Sequence, residues 1–228
     1  MSRVTLRSPR QRLMAGLAGL RFRWFQRRRH EQVTVEQLWG KPLIVLPGVL
    51  NPVLFRSGQF MAEALNQTLI PTQSAVLDLG TGSGIGALFA AQWAARVVAT
   101  DVNPMALRCA RLNVILHGLE SCVVVREGDL FAPVAGERFD VVLFNPPYFH
   151  GEPANDFERA LYSNDIALRF AASLSMHLSP NGHALLLLAS SGQQAPFLTA
   201  LHRNAMTTEI IRQKKLPYET LYLYKITR

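Results

Sequence analysis

The chain has 228 residues, 49% of them hydrophobic and 18% charged, with a formal net charge of +8 and two cysteines. That length supports one full core with little left for a second. Cys109 and Cys122 fall on a predicted helix and a predicted strand, without C-x-x-C spacing or clustered histidines, which argues against a disulfide framework and a metal site. No apolar run approaches the ~20 residues needed to cross a bilayer.

The charge is uneven. Nine arginines (Arg3, Arg7, Arg10, Arg12, Arg21, Arg23, Arg27, Arg28 and Arg29) precede the first acid, Glu31, and the rest of the chain carries fifteen basic and sixteen acidic side chains. Residues 1–32 therefore read as a basic arm, partly helical, with Leu13, Leu17, Leu20, Phe22 and Phe25 at helical spacing. Four roles fit this composition: contact with RNA or ribosome phosphates, contact with an anionic membrane surface, an organellar transit peptide, or a helix packed on the domain with its arginines in solvent. The run from Leu13 to Leu20 is too short and interrupted for a signal-peptide core. The expected location is cytoplasmic, or organellar if the arm is a transit peptide.

Residues 33–74 form a leading, lid-like segment. Val33 to Pro52 is apolar and punctuated by Pro42, Pro47 and Pro52, and predicts a short strand and turns. Arg56-Ser57-Gly58-Gln59 leads into a helix burying Phe60, Met61, Ala64 and Leu65 and ending near Pro71.

From Ala75 onward strands and helices alternate. Strands are predicted at Ala75–Leu79, Arg96–Thr100, Cys122–Arg126, Phe139–Phe144 and His183–Ala189, the last preceded by a turn at Ser179-Pro180-Asn181-Gly182. The helix after the first strand is expected to reach about Ala95. Asn103 is placed as the N-cap of the next helix, with Pro104 at its first position. Thr208–Lys214 and Thr220–Ile226 read as a closing antiparallel hairpin. The fold class is α/β: a Rossmann-like, seven-stranded, mostly parallel sheet with a C-terminal antiparallel hairpin and helices on both faces, occupying residues 75–228.

The stretch Val76 to Phe89 carries the first chemical signal. An apolar strand containing Asp78 runs into glycines at 80, 82 and 84 and then into a helix whose free N–H groups face the turn. Gly82 to Ala87 satisfies a loose dinucleotide pattern, G-x-G-x-x-A. Read from Asp78 the stretch is D-x-G-x-G-x-G, and a carboxylate there suits an ammonium or sulfonium ligand better than a pyrophosphate. In this form it resembles the glycine motif of class I S-adenosylmethionine (SAM)-dependent methyltransferases. The resemblance implies that Asp78, Gly80, Gly82 and Gly84 lie against the methionine part of SAM, under a lid helix to which Arg56 and Gln59 would belong.

Ligands of open α/β sheets bind outside the carboxyl ends of the strands. Asp101 ends the second strand and can accept from both ribose hydroxyls. Asp129 ends the third and can accept from an exocyclic amine, as the matching acid does toward adenine N6 in the family, with Leu130 packed on the base. The alternative for Asp129 is a solvated turn acid after Gly128.

Asn145-Pro146-Pro147-Tyr148 ends the fourth strand. Two prolines directly after a buried strand stop its hydrogen bonding and fix the backbone. The Asn145 side-chain oxygen and the Pro146 carbonyl could then hold both N–H bonds of a planar N–H2 group, favouring pyramidal nitrogen as a methyl group arrives. Tyr148 would stack on the substrate, bordered by Pro147 and Phe149. The tetrapeptide resembles the (D/N)-P-P-(Y/F/W) motif of methyltransferases acting on adenine N6 or on glutamine amides. His150, Glu152, Asp156 and Glu158 follow in a loop expected to border the substrate.

Together with Asp101-Val102-Asn103-Pro104, these stretches resemble the HemK/PrmC-like methyltransferases of the small-domain type, in which the substrate is a glutamine of a translation release factor. Phe55 to Gln59 departs from that family by lacking its acidic residues. The competing reading is an RNA adenine-N6 or guanine-N2 methyltransferase, which Asn145 to Phe149 and the arginine arm would suit. A non-catalytic SAM-fold subunit is the third, and the intact glycine and Asn145–Tyr148 stretches argue against it.

Overall fold

The computed structural model describes residues 32–153 and 156–228. The basic arm expected over residues 1–32 thus lies outside the described residues, apart from Gln32.

Two strands come first, β1 (Thr34–Leu38) and β2 (Lys41–Val45), paired antiparallel with Leu38 opposite Lys41. The sequence predicts one strand here; the structure has a hairpin. Its turn residues Trp39 and Gly40 take φ of 49° and 78°, as a two-residue hairpin loop demands. A tryptophan is a rare choice for that conformation, so residue type carried no turn signal.

The expected lid helix is also two pieces, α1 (Pro52–Phe55) and α2 (Ser57–Ala64), hinged at Arg56 with φ 59°. It stops short of Pro71 because the Asn66 side-chain oxygen accepts from the Thr68 and Leu69 amides at 2.9 and 3.1 Å. Such a local bond competes directly with helix continuation.

The main sheet contains β3 (Ala75–Leu79), β4 (Arg96–Asp101), β5 (Val123–Glu127), β6 (Phe139–Phe144), β7 (Leu178–Ala189), β8 (Thr207–Lys215) and β9 (Thr220–Thr227). Its order is β5-β4-β3-β6-β7-β9-β8, parallel except where β9 runs antiparallel to β7 and β8. This is the seven-stranded sheet with a closing antiparallel hairpin that the sequence predicts. The connecting helices are α3 (Ile85–Ala90), α4 (Pro104–Leu116), α5 (Asp156–Arg159), α6 (Ile166–His177) and α7 (Gln194–Arg203). The first of these ends well before Ala95. Strand β7 starts five residues earlier than predicted: Leu178 pairs with Phe139 and His183 with Val141, so residues 179–182 bulge from a strand that sequence broke into turn and strand.

Alternation along the strands builds a core on each face. Val142 and Phe144 of β6, with Leu186 and Leu188 of β7, pack on Phe170, Leu174 and Phe197 of α6 and α7. Val141, Leu143, Leu185 and Leu187 face the other way, toward Phe60, Met61 and Ala87. A third cluster joins Leu43 and Val45 of the hairpin to Ile85, Leu88 and Ala106, so residues 33–74 share buried contacts with the sheet domain. The exposed edge strand β8 carries Arg212, Lys214 and Lys215, charges that discourage pairing with another chain.

Candidate active site

The glycine loop is fixed from below by Asp78. This residue shares the sheet face of Val76, beneath α3, and its Oδ2 accepts from the Thr81 hydroxyl at 2.6 Å and the Ala87 amide at 2.9 Å. A β-carbon on Gly86 would lie 2.5 Å from Asp78 Oδ1, so only glycine lets the helix settle on the carboxylate. Gly80, Gly82 and Gly84 all take positive φ, between 56° and 84°. Burial pushes the Asp78 carboxyl up to about 6, against the lowering effect of its two hydrogen bonds.

Asp101 holds the same loop from the side. Its Oδ2 accepts from the Gly82 amide and its Oδ1 from the Asn103 amide, both at 2.9 Å. Asn103 caps α4 as expected, accepting from the Met105 amide at 2.8 Å. Burial raises the Asp101 carboxyl as well, and its charge is among the causes that raise Asp78. Among the described residues neither acid forms an ion pair.

Pairing of β6 with both neighbours ends at Phe144, and Asn145 starts the next segment. Asn145 Nδ2 donates to Ser57 Oγ at 3.2 Å, and its Oδ1 accepts from the Tyr148 hydroxyl at 2.9 Å. The Tyr148 ring packs against the core beneath α2 and α3, and burial raises its phenol above the ordinary value. A β-carbon on Gly192 would lie 2.7 Å from the Tyr148 carbonyl oxygen, so β7's following turn closes directly on this segment. Gln193 stitches it further, donating to the Phe149 and Ser163 carbonyls at 2.8 and 2.9 Å.

A cavity of about 570 Å³ opens at these strand ends, within the size range of cofactor and drug-sized sites. Gly80, Gly82, Asp101, Asp129, Leu130, Asn145 and Pro147 all line it. Asp78, Gly84, Pro146, Tyr148 and Phe149 do not. Asp78 lies under the loop, and Gly84 faces α4, where a β-carbon would meet Ala110 Cα at 3.2 Å. Phe149 is 40% exposed and bridges to Tyr162 instead. Of the lid segment, residues 48–50, Pro52, Phe55, Ser57 and Gly58 reach the cavity, whereas Arg56 and Gln59 do not. Asp129 is ion-paired with Arg169, which also lies 3.7 Å from Asp165. Glu152 reaches the rim, where it accepts from Asn164.

The profile of the methyltransferase small domain matches residues 50–218. The chain belongs to that family. Curated relatives include a ribosomal protein uL3 glutamine methyltransferase of Bradyrhizobium diazoefficiens, 37% identical over 121 residues, covering 47% of this chain and 38% of the relative. A release factor glutamine methyltransferase of Xylella fastidiosa is 35% identical over 178 residues, covering 72% of this chain and 64% of the relative. The alignments thus span less than two thirds of either relative's length. Among solved structures, the T. thermophilus 16S rRNA methyltransferase RsmC, in complex with AdoMet and guanosine, aligns with a TM-score of 0.62 at 22% identity. That alignment covers 86% of this chain and 50% of RsmC.

Within this small-domain framework three further residues, besides Thr81 and Arg169 of the cavity lining, escaped the sequence reading. Asn113 on α4, fully buried, donates to the Ser83 carbonyl at 2.9 Å and the Ile44 carbonyl at 2.7 Å, and accepts from the Ile44 amide at 2.8 Å. Ser57 and Gln193 are the others. A polar residue amid a helix's apolar positions was the available signal for Asn113; a lone serine or glutamine offers none. No described helix is long and apolar enough to cross a membrane.

Proposed function

We propose that this protein is a SAM-dependent N-methyltransferase acting on a planar N–H2 nitrogen, and that its substrate is a protein glutamine side chain of the release-factor type. The observation that carries the reading is the position of Asn145, at the end of β6, in the same cavity as Asp101 and Asp129. The fit to SAM rests on chemistry visible in the lining. Asp101 offers acceptors for the ribose, and Asp129 and Leu130 an acceptor and an apolar face for adenine. SAM supplies the activated methyl group.

The chain's own part is to position and to stabilise. The Asn145 side-chain oxygen accepts from the substrate nitrogen and draws its lone pair out of conjugation; Pro146, outside the cavity lining, fixes the backbone that carries it. When bound, SAM would give its methyl group to that nitrogen and leave as the thioether S-adenosylhomocysteine, which keeps the electron pair of the broken sulfur–carbon bond. The methylated nitrogen loses its extra proton to water. Tyr148, placed by its hydroxyl on Asn145, serves as a support for that amide rather than as the stacking platform expected.

A second reading, an RNA adenine-N6 or guanine-N2 methyltransferase, is favoured by the nine arginines ahead of Glu31, which suit contact with RNA or the ribosome. Both readings place the protein in the cytoplasm, or in an organelle if the arm is a transit peptide. Methyl label from SAM, offered to fractionated protein and RNA with and without ribonuclease, separates them. Label in ribonuclease-resistant protein supports the glutamine reading; label lost on ribonuclease treatment overturns it in favour of RNA.

A further inference from the structure

Asn145 can serve the proposed transfer in only one of its two amide orientations. With oxygen toward the substrate nitrogen it accepts; turned over, it presents N–H against N–H. Something must hold it.

Among the described residues, the two groups hydrogen-bonded to the amide are both hydroxyls, Ser57 Oγ on Nδ2 and Tyr148 Oη on Oδ1. Each hydroxyl can donate or accept, so contact alone selects neither orientation. Their chemistry does. A phenol is the more acidic hydroxyl and the better donor; an alkyl hydroxyl carries the more basic oxygen and is the better acceptor. The arrangement with phenol donating to Oδ1 and Nδ2 donating to serine therefore matches the better donor to the amide oxygen. Burial keeps the phenol protonated and therefore able to donate to Oδ1. Ser57 itself is 5% exposed and reaches this place because Arg56 turns the chain at φ 59°.

We infer that Ser57 is a positioning residue for methyl transfer: by accepting from Asn145 Nδ2, opposite the donating Tyr148 hydroxyl, it locks the amide with its oxygen available to the substrate nitrogen. The inference rests on the proposed role of Asn145 as the acceptor in transfer. One lone pair of Oδ1 is occupied by Tyr148 and the other is left for substrate. A lid residue thereby completes the transfer site, and the departure of Phe55 to Gln59 from the acidic pattern of the HemK/PrmC-like proteins leaves a short hydroxyl at the point of contact.

The test uses the full chain and four variants, Ser57→Ala, Asn145→Asp, both together, and Asn145→Ala. Methyl transfer is measured with a purified release factor, or with RNA if that fraction takes the label. Ser57→Ala should lower kcat about tenfold or more with the Kd for SAM changed less than twofold. In the Asn145→Asp background, where both side-chain atoms are oxygens and orientation is immaterial, the same change should alter kcat less than twofold. Independently, nuclear magnetic resonance of the substrate-free protein should show the Asn145 side-chain protons exchanging with solvent at least tenfold faster in Ser57→Ala. Equal losses in both backgrounds would mean that Ser57 acts through packing and would overturn the inference. If Asn145→Asp is inactive, the exchange rates decide, and unchanged rates overturn it. Full turnover in Asn145→Ala would instead sink the proposed role of Asn145, and the exchange measurement would still read the lock itself.

Discussion

Asp78 and Gly86 are complementary: a buried carboxylate occupies the space where any β-carbon at position 86 would stand, 2.5 Å from its Oδ1. Two effects oppose each other in Gly86→Ala. Helix propensity favours alanine by up to about 1 kcal/mol, while overpacking a filled site costs about 1–3 kcal/mol. The clash wins, because the neighbour is a short acid already bonded to Thr81 and Ala87. Denaturant unfolding should show a net loss of about 1–2 kcal/mol, with a weakened affinity for SAM.

Asp78 also gives the ligand-free protein a pH signature. Its folded value of about 6 exceeds the ordinary 3.8, so the folded state holds this proton more tightly than the unfolded chain. Its contribution is fully present below about pH 4 and is lost as pH rises through about 6, an effect of roughly 3 kcal/mol at most. Melting temperature measured from pH 4 to 7 should carry this fall in the wild type. In Asp78→Asn the component due to residue 78 should vanish. An identical profile in the two proteins would show the carboxyl to be ionised throughout.

Asp101→Ala tests the cofactor assignment. The substitution removes the acceptor for the Gly82 and Asn103 amides and, in the proposed complex, for the ribose. Calorimetry should show SAM and S-adenosylhomocysteine binding to the wild type and both weakened at least tenfold in the variant, on the order of 1.4 kcal/mol or more. Tight binding of NADH without binding of SAM would defeat the assignment.

Asn145→Ala separates chemistry from folding. Turnover should fall by at least a hundredfold, in line with the loss of a transition-state hydrogen-bonding group. The Kd for SAM should stay within about threefold and melting temperature within a few degrees. Intact turnover would make the Asn145–Tyr148 segment a structural turn.

The arm distinguishes substrate classes. Each phosphate it neutralises would add roughly −0.7 to −0.9 to the slope of log affinity against log salt. Deleting residues 1–29 should flatten that slope and weaken binding if the substrate is RNA. With an isolated release factor as substrate, transfer at physiological salt should stay within about twofold of the full chain.

The sheet was legible because its central strands are buried on both faces and read as apolar runs, Val76 to Leu79 interrupted only by Asp78 and Leu185 to Leu188 unbroken. Residues at or just past the ends of β4, β5 and β6, Asp101, Asp129 and Asn145, could be located by counting, and they do share one cavity. What sequence could not show was direction. Asp78 occupies an alternate strand position and turns beneath α3, away from the cavity. Tyr148 swings its hydroxyl back onto Asn145 because Gly192 admits the chain on one side and Ser57 waits on the other. The first hairpin was missed since its turn depends on Trp39 adopting a conformation that residue type disfavours.

Asn113 binds Ile44 of the hairpin and Ser83 of the glycine loop with the same buried amide group. Opening either contact leaves a buried polar group without its partner, so the two segments should loosen together. A ligand seated on the glycine loop would then slow deuterium uptake at the Ile44 amide, in a strand that contributes no residue to the cavity wall. The hairpin becomes a remote reporter of cofactor occupancy, and in Asn113→Ala that protection should disappear while the loop still closes on its ligand.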